Sequence, residues 1–540
     1  MSRILLSSLT LLLSAPALVA QDAPMTREER ADACTSIMVG KKASVDGSVI
    51  TSHTCDGNYR SWLNVVPRKT NPAGAKRPIR WGLLHTETPT DEAGVKVKGE
   101  IPQVENTYSY FNSGYPFLNE KQLAMGEATI SGRRELESEQ GLFLIEELQA
   151  VAMERCVTAR EAVKLMGELA ERYGYGDSGE CLTVADPKEV WHFEIFGPGK
   201  GAIGAVWAAV RIPDDHVGVS ANIPRIGEID LKNPNLMASA NVFTLAKEKG
   251  WWDGKETFKF WKAYGGGKKP FGIRDFFILS TLAPSLGLKY EADELPFSVK
   301  PEKAVGPKDV AAYFRQTYEG TPYDRTKNLL APKLRGPKDP PLKEGEQPEI
   351  IKSPVANPWM GREIIALFNA LKPGAVENQR TISVPQCAYS TVIQCRSWLP
   401  DQVGGLVWFS LDNPAQSPRI PLFAGLASLP ESFATDMNKR FRTDSAGWQF
   451  RRANKLATVK WGLVKDKHMA AVMEYEEKGF SELPDVERKV QEMLKADPSK
   501  KGQAKVQAFL TNYTADFAGA TMRKWWELGD QYWHLFGKGF

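Results

Sequence analysis

Metal-binding patterns are missing from this sequence. Its six histidines, His53, His85, His192, His216, His468 and His534, show no His-Glu-x-x-His or similar ligand spacing. Cysteine is as scarce, with six in 540 residues, which excludes a disulfide scaffold. No excess charge of either sign is present: 69 Lys and Arg stand against 65 Asp and Glu. No basic stripe interleaves with aromatics, so nothing marks a nucleic-acid surface. Beyond the N-terminus no apolar run is long enough to cross a bilayer. "GGGKKP" (Gly265–Pro270) lacks the Ser or Thr of a phosphate loop. "GDSG" (Gly176–Gly179) resembles a chymotrypsin-like nucleophile loop, yet no upstream histidine stands in the setting that chemistry needs.

What is present is ordinary in bulk and specific in detail. Hydrophobic residues make up 42% and charged residues 25%, enough for a sizeable core. Arg3, the apolar run Ile4–Leu13 and the small residues ending at Ala20 read as a secretory signal peptide, residues 1–20. This places the protein in the periplasm or outside the cell. Residues 21–33, "QDAPMTREERADA", are polar without an apolar face and read as a pro-segment.

The pattern changes at Cys34. "TSIMV" and "SVITS" predict two strands joined through "GKKASVDG", with Asp46-Gly47 as the turn signal. Two helices are expected between Ser138 and Tyr173, the second opened by a capping box of Thr158 and Glu161. Strands return in "CLTVADPKEVWHFEI", "AVWAAVRIPDDHVGVSANIPRI", "TISVPQCAYSTVIQC" and "GGLVWFSL". Strands, then helices, then strands indicate helices stacked on antiparallel sheet. Pro332–Glu349 reads as an exposed loop. From about residue 431 to 540 the chain reads as mainly helical. There Trp525, Leu528, Tyr532, Leu535 and Phe536 form a core stripe.

A cysteine made N-terminal by cleavage carries a thiol and a free α-amine. The amine titrates near about 7.7–8.0 and can take the thiol's proton near neutral pH. One residue then serves as nucleophile and base, and no histidine partner is required. The thiolate attacks an amide carbonyl, and water resolves the thioester.

The segment "CTSIMVGKKASVDGSVITSHTCDG" resembles the opening of the cysteine dipeptidases of the dipeptidase A and secernin family, which are N-terminal nucleophile hydrolases. "NEKQLAMGEATISGRREL", "LAERYGYGDSGECLTVADPKEVWHFEI", "RIPDDHVGVSANIPRI", "RTISVPQCAYSTVIQCRSWLP" and "GGLVWFSLDNPAQSPRIPLFAG" follow in the family's order. The resemblance implies an α+β fold, a four-layer αββα sandwich over residues 34–430. A largely helical C-terminal region, 431–540, follows it.

The resemblance also implies hydrolysis of short peptides without metal or cofactor, with Cys34 as nucleophile. Asp56 matches the aspartate that positions the N-terminal amine in related penicillin V acylases. Those relatives carry an arginine three residues earlier, where this chain has His53. Protonated His53 or another arginine is expected to fill that role. Asn222 resembles the oxyanion asparagine. Thr129 and Ile130 lie where relatives place more of that hole. Arg225 is read either as the partner of a substrate carboxylate or as a structural ion pair. The expected partners are small peptides; neither nucleic acid nor a membrane span is expected, and homo-oligomerisation is left open. Two rival readings stand beside the dipeptidase. One is an N-acyl amide hydrolase of the penicillin V acylase and bile salt hydrolase type. The other is a binding protein that kept the fold without catalysis.

Overall fold

The computed structural model describes residues 34–538 apart from Lys268, Pro337 and Asn378. The signal peptide and pro-segment expected over 1–33 lie outside the described residues.

The expected hairpin forms directly after Cys34. Strand β1 (Ser36–Val39) pairs antiparallel with β2 (Val49–Asp56). Asp46 Oδ1 closes the turn by accepting from Ser48 N and Oγ, and Gly47 takes φ 85°, a left-handed value that glycine adopts without strain. β2 reads VITSHTCD, half of it polar, yet all eight residues are buried. Its hydroxyls are therefore paired inside the protein. Ser52 Oγ bonds the backbone of Ile37, and Thr51 Oγ1 meets Thr183 Oγ1 at 2.6 Å.

β2 is central in a seven-stranded sheet. In spatial order its strands are Ser298–Val299, Val217–Ser220, β1, β2, Cys387–Cys395, Leu406–Leu411 and Ile420–Phe423. The strand Cys387–Cys395 runs antiparallel to β2, with Thr391 opposite His53. An eight-stranded sheet contains Ala124–Thr129, Glu180–Ala185, Val190–Phe196 and Val206–Arg211 as antiparallel neighbours. The two sheets pack face to face, with Ala124–Thr129 lying against β2. Gly126 permits that approach: a Cβ there would stand 2.3 Å from Ser52 O and 2.6 Å from Thr183 Oγ1.

Helices cover both sheets. Helix α1 (Ile145–Arg155) and helix α2 (Ala159–Tyr173) pack on the eight-stranded sheet. The Thr158–Glu161 capping box forms, and Val163, Met166 and Ala170 turn inward. Helices Ile273–Leu282, Pro307–Phe314 and Lys500–Phe536 pack on the seven-stranded sheet. The result is a mixed α/β protein whose C-terminal part is helical. Among the described residues no helix is long and apolar enough to cross a membrane.

Several local expectations meet their structures. The segment 333–349 is an exposed loop, closed by a small ribbon of Leu330–Pro332 and Ile350–Lys352. All six cysteines are buried with free thiols. Trp525, Leu528, Tyr532 and Phe536 are buried, whereas Leu535 is half-exposed and does not belong to the stripe. One residue short of Phe536 turns it about 100° round the helix, away from the core.

His468 ties the helical region together. Nε2–H donates to Gln416 O (2.6 Å), and Nδ1 accepts from Tyr532 Oη (3.0 Å). Burial lowers its pKa to about 4, so the folded protein holds it neutral. Above pH 6.5 it is neutral in both states. As pH falls from about 6.5 to 4, the unfolded chain takes a proton that the fold refuses, and stability falls by about 3 kcal/mol through this residue. His468→Gln removes that term. In chemical denaturation at pH 7 and at pH 4.5, the stability advantage of the parent over the variant is expected to shrink at the lower pH. An advantage independent of pH would show that His468 ionises freely in the fold.

Candidate active site

Cys34 lies two residues ahead of β1 and is buried. Its neighbour is stitched to β2: Thr35 N donates to Thr54 Oγ1 (2.9 Å), and Thr54 N donates to Thr35 O (2.9 Å). Thr54 Oγ1 passes its own proton to Asp56 Oδ2 (3.0 Å). Arg380 Nη2 reaches the same oxygen at 2.9 Å, forming a buried ion pair. Asp56 Oδ1 is buried and has no hydrogen-bond partner. The backbone N–H of Asp56 faces the Cys34 sulfur and favours the thiolate. Burial outweighs it, and the charges of Glu127, Cys55 and Asp56 act in the same direction as burial. The thiol's pKa is pushed well above its usual value.

A second arginine holds the nucleophile from the other side. Arg274 stands in the first turn of helix Ile273–Leu282 and is fully buried. Nη1 donates to Cys34 O (2.6 Å) and Thr35 Oγ1 (2.9 Å). Nη2 donates to Ala221 O and Asn222 Oδ1, both at 2.9 Å. Asn222 follows the strand Val217–Ser220 at φ 66°. A guanidinium only donates, so Asn222 must turn its oxygen toward Arg274. Its Nδ2 therefore points the other way and donates to Thr129 O at 2.6 Å. An amide nitrogen carries two hydrogens, and this bond uses one.

The facing sheet supplies the rest. His53 Nδ1 lies 2.6 Å from Glu127 O and 3.2 Å from Glu127 N, against the backbone of the facing strand. Burial lowers His53 to about 4, so the ring is neutral. A neutral His53 supplies no charge, and the two arginines near Cys34 bond elsewhere, Arg380 to Asp56 and Arg274 to Cys34 O. Cys34 Sγ, a His53 ring nitrogen and a Glu127 carboxyl oxygen lie within 4.8 Å of one another, near enough to share a proton or a cation.

This arrangement, a cysteine held just ahead of a strand by backbone and guanidinium contacts, coincides with a family match. The family model described as Peptidase family C69 matches residues 33–474. The chain belongs to peptidase family C69. Among curated relatives, a "Probable dipeptidase" of Latilactobacillus sakei is 24% identical over 515 residues, covering 92% of this chain and 93% of the relative. A "Probable dipeptidase B" of Streptococcus pyogenes serotype M1 is 23% identical over 440 residues, 79% of each chain. A "Probable dipeptidase" of Salmonella dublin is 24% identical over 409 residues, 73% of this chain and 81% of the relative.

In this C69 peptidase, a cysteine-type enzyme, the Asp56 N–H faces the Cys34 sulfur, and Arg274 links the Cys34 carbonyl to Asn222, which in turn bonds Thr129 O. Ile130 is buried beside them, but its N–H donates to Gly179 O at 3.1 Å and is spent there. Arg225 is turned elsewhere. Its Nη1 meets Asp275 Oδ1 at 3.0 Å, its Nη2 meets Pro296 O at 2.7 Å, and its backbone N–H donates to Glu194 Oε1. Arg274, Arg380, Glu127 and Glu180 were not singled out from the C69 sequence. Arg380 opens the segment "RTISVP" and Glu127 sits inside "AMGEATI", but nothing in their spacing links them to Cys34.

The Arg225–Asp275 pair is buried on both sides. Removing one partner leaves the other charge sealed without compensation, which typically costs about 3–5 kcal/mol. Arg225→Ala is expected to lose that much in denaturant unfolding, and Arg225→Ala with Asp275→Ala to recover part of it. A loss below about 1 kcal/mol would show that Arg225 is not a structural partner.

Proposed function

We propose that this peptidase is a secreted N-terminal nucleophile cysteine dipeptidase of αββα architecture, activated when the bond between Ala33 and Cys34 is cut. The observation that carries the reading is Asp56. It adjoins the Cys34 sulfur, is held by Arg380 through Oδ2, and keeps Oδ1 buried and unpaired. An ammonium group released at Cys34 is the natural complement of that orphan oxygen. The family match beginning at Ala33 supports the same boundary. The relatives' printed names supply the substrate class.

The chemistry follows from the residues. The free amine of Cys34 takes the thiol proton, and its own charge in turn favours the thiolate. The thiolate adds to the carbonyl of a dipeptide. The oxygen gains negative charge, and the second N–H of Asn222 Nδ2 stabilises it. The amine returns the proton to the leaving nitrogen, and the thioester forms. Water deprotonated by the same amine then hydrolyses it. With Cys34 still in peptide linkage no amine is present and the buried thiol stays protonated, so the precursor is latent.

Protein recovered from its native compartment is expected to have the mass of a chain starting at Cys34 and to hydrolyse dipeptides. Cys34→Ala should fold and hydrolyse none. Full activity in protein retaining residues 21–33 would end the mechanism, and turnover of acyl amides with none of dipeptides would end the substrate assignment.

Asn222→Ala is expected to lower kcat by about 10²–10³ with little change in KM, because the lost donor serves the transition state more than the bound substrate. Steady-state kinetics on processed protein measures this. An unchanged kcat removes Asn222 from the oxyanion site.

A further inference from the structure

Two carboxyl groups beside the nucleophile have no role in the steps above. Strand Ala124–Thr129 alternates its side chains, so Glu127 and Thr129 share a face. Glu180 lies directly opposite Thr129 on the neighbouring strand. Thr129 Oγ1 donates to Glu127 Oε1 at 3.0 Å, and Glu180 is hydrogen-bonded with both. Glu127 and Glu180 are 0% and 3% exposed; the Cys34 thiol lies against the Glu127 carboxyl, and Oε2 of each glutamate is buried with no close hydrogen-bond donor among the described residues. Three other buried carboxylates meet arginine: Asp275 with Arg225, Glu476 with Arg419, Asp412 with Arg451. Among the described residues no arginine or lysine meets this pair, and His53, 3.9 Å from Glu127 Oε2, is neutral. Burial pushes both groups upward, and at Glu180 the charge of Glu127 adds to it, so the hydrogen-bonded pair shares a proton. Asp177 adds a further acidic neighbour.

Distance gives the pair a meaning. A thiolate poised for attack stands about 3–3.5 Å from the carbonyl carbon. In the first residue of a peptide the α-nitrogen is about 2.5 Å from that carbon. The ammonium of a bound substrate therefore lies within a few ångströms of Cys34 Sγ, and a Glu127 carboxyl oxygen lies within 4.8 Å of the same sulfur. The amine of Cys34 itself is answered by Asp56, which leaves the glutamates for the substrate.

We propose that Glu127 and Glu180, bridged by Thr129, bind the free α-ammonium of the substrate and so confine cleavage to the bond after an unblocked first residue. This rests on the dipeptidase reading and adds the residues that read the substrate's N-terminus. The ammonium takes the place of the shared proton and supplies the cation this pair lacks.

The test compares alanyl-alanine with propionyl-alanine, which differs only in lacking the amine, on processed parent and on processed Glu180→Gln. The parent is expected to favour alanyl-alanine by about 10²–10³ in kcat/KM. In Glu180→Gln that ratio should fall toward one. A merely structural role for Glu180 lowers both rates together and keeps the ratio, which would overturn the proposal. Equal kcat/KM for the two substrates on the parent would overturn it without any variant. Should the parent hydrolyse acyl amides and neither alanine substrate, the dipeptidase reading itself falls, and the proposal with it.

Discussion

The site depends on the guanidinium of Arg274. Four acceptors converge on its two terminal nitrogens: the carbonyls of Cys34 and Ala221, the hydroxyl of Thr35 and the side-chain oxygen of Asn222. One rigid, planar group thereby sets the distance between the backbone of Cys34 and the loop that carries Asn222, the proposed oxyanion donor. It also decides which way the Asn222 amide faces. A lysine would offer a point charge without the fork, and an apolar residue would leave buried carbonyls unsatisfied.

Around this clamp the fold pairs its buried polar groups with care, as the hydroxyls of β2 show. The exceptions near Cys34 are therefore informative. Asp56 Oδ1, His53 Nε2, Glu127 Oε2 and Glu180 Oε2 are all buried and unpartnered. Unpaired buried groups cost stability, so a protein keeps them where something else completes the set. In the mechanism proposed above, the missing pieces are cationic for the carboxylates: an amine at Cys34 and an amine on the substrate. The neutral His53 packs between Tyr115 and Tyr389, its ring centroid 5.6 Å from each, and contributes shape and a fixed hydrogen bond to Glu127 O rather than charge.

How far the sequence could be read followed the range of the interactions. The hairpin after Cys34, the Thr158–Glu161 box and the exposed 333–349 loop are local, and each was legible in a few consecutive letters. Cys34 stood out as a candidate because the segment before it reads as a leader built for cleavage. Asp56 and Asn222 rested on ordered segments shared with a family. The arginines were not legible. Arg274 and Arg380 lie 240 and 324 residues from Cys34 and Asp56, their respective partners. Only the stacking of the sheets and the docking of one helix join them. Arg225 illustrates the converse. Its place in "SANIPRI" made a substrate contact as reasonable as an ion pair, and only the position of Asp275 in space gives its guanidinium a partner. Leu535 failed for a smaller reason: a stripe read by eye admits a residue that one step of helical rotation removes.

The sealing of every thiol has a practical consequence. Cys55, Cys181, Cys387 and Cys395 are fully enclosed, and Cys156 is nearly so. Burial also raises Cys156, Cys181, Cys387 and Cys395 away from the reactive thiolate form. If Cys34 is freed as proposed, a soluble alkylating reagent under native conditions finds one sulfur worth attacking, and only in the processed molecules. The moles of label taken up per mole of chain count the competent active sites in a preparation, without recourse to a substrate.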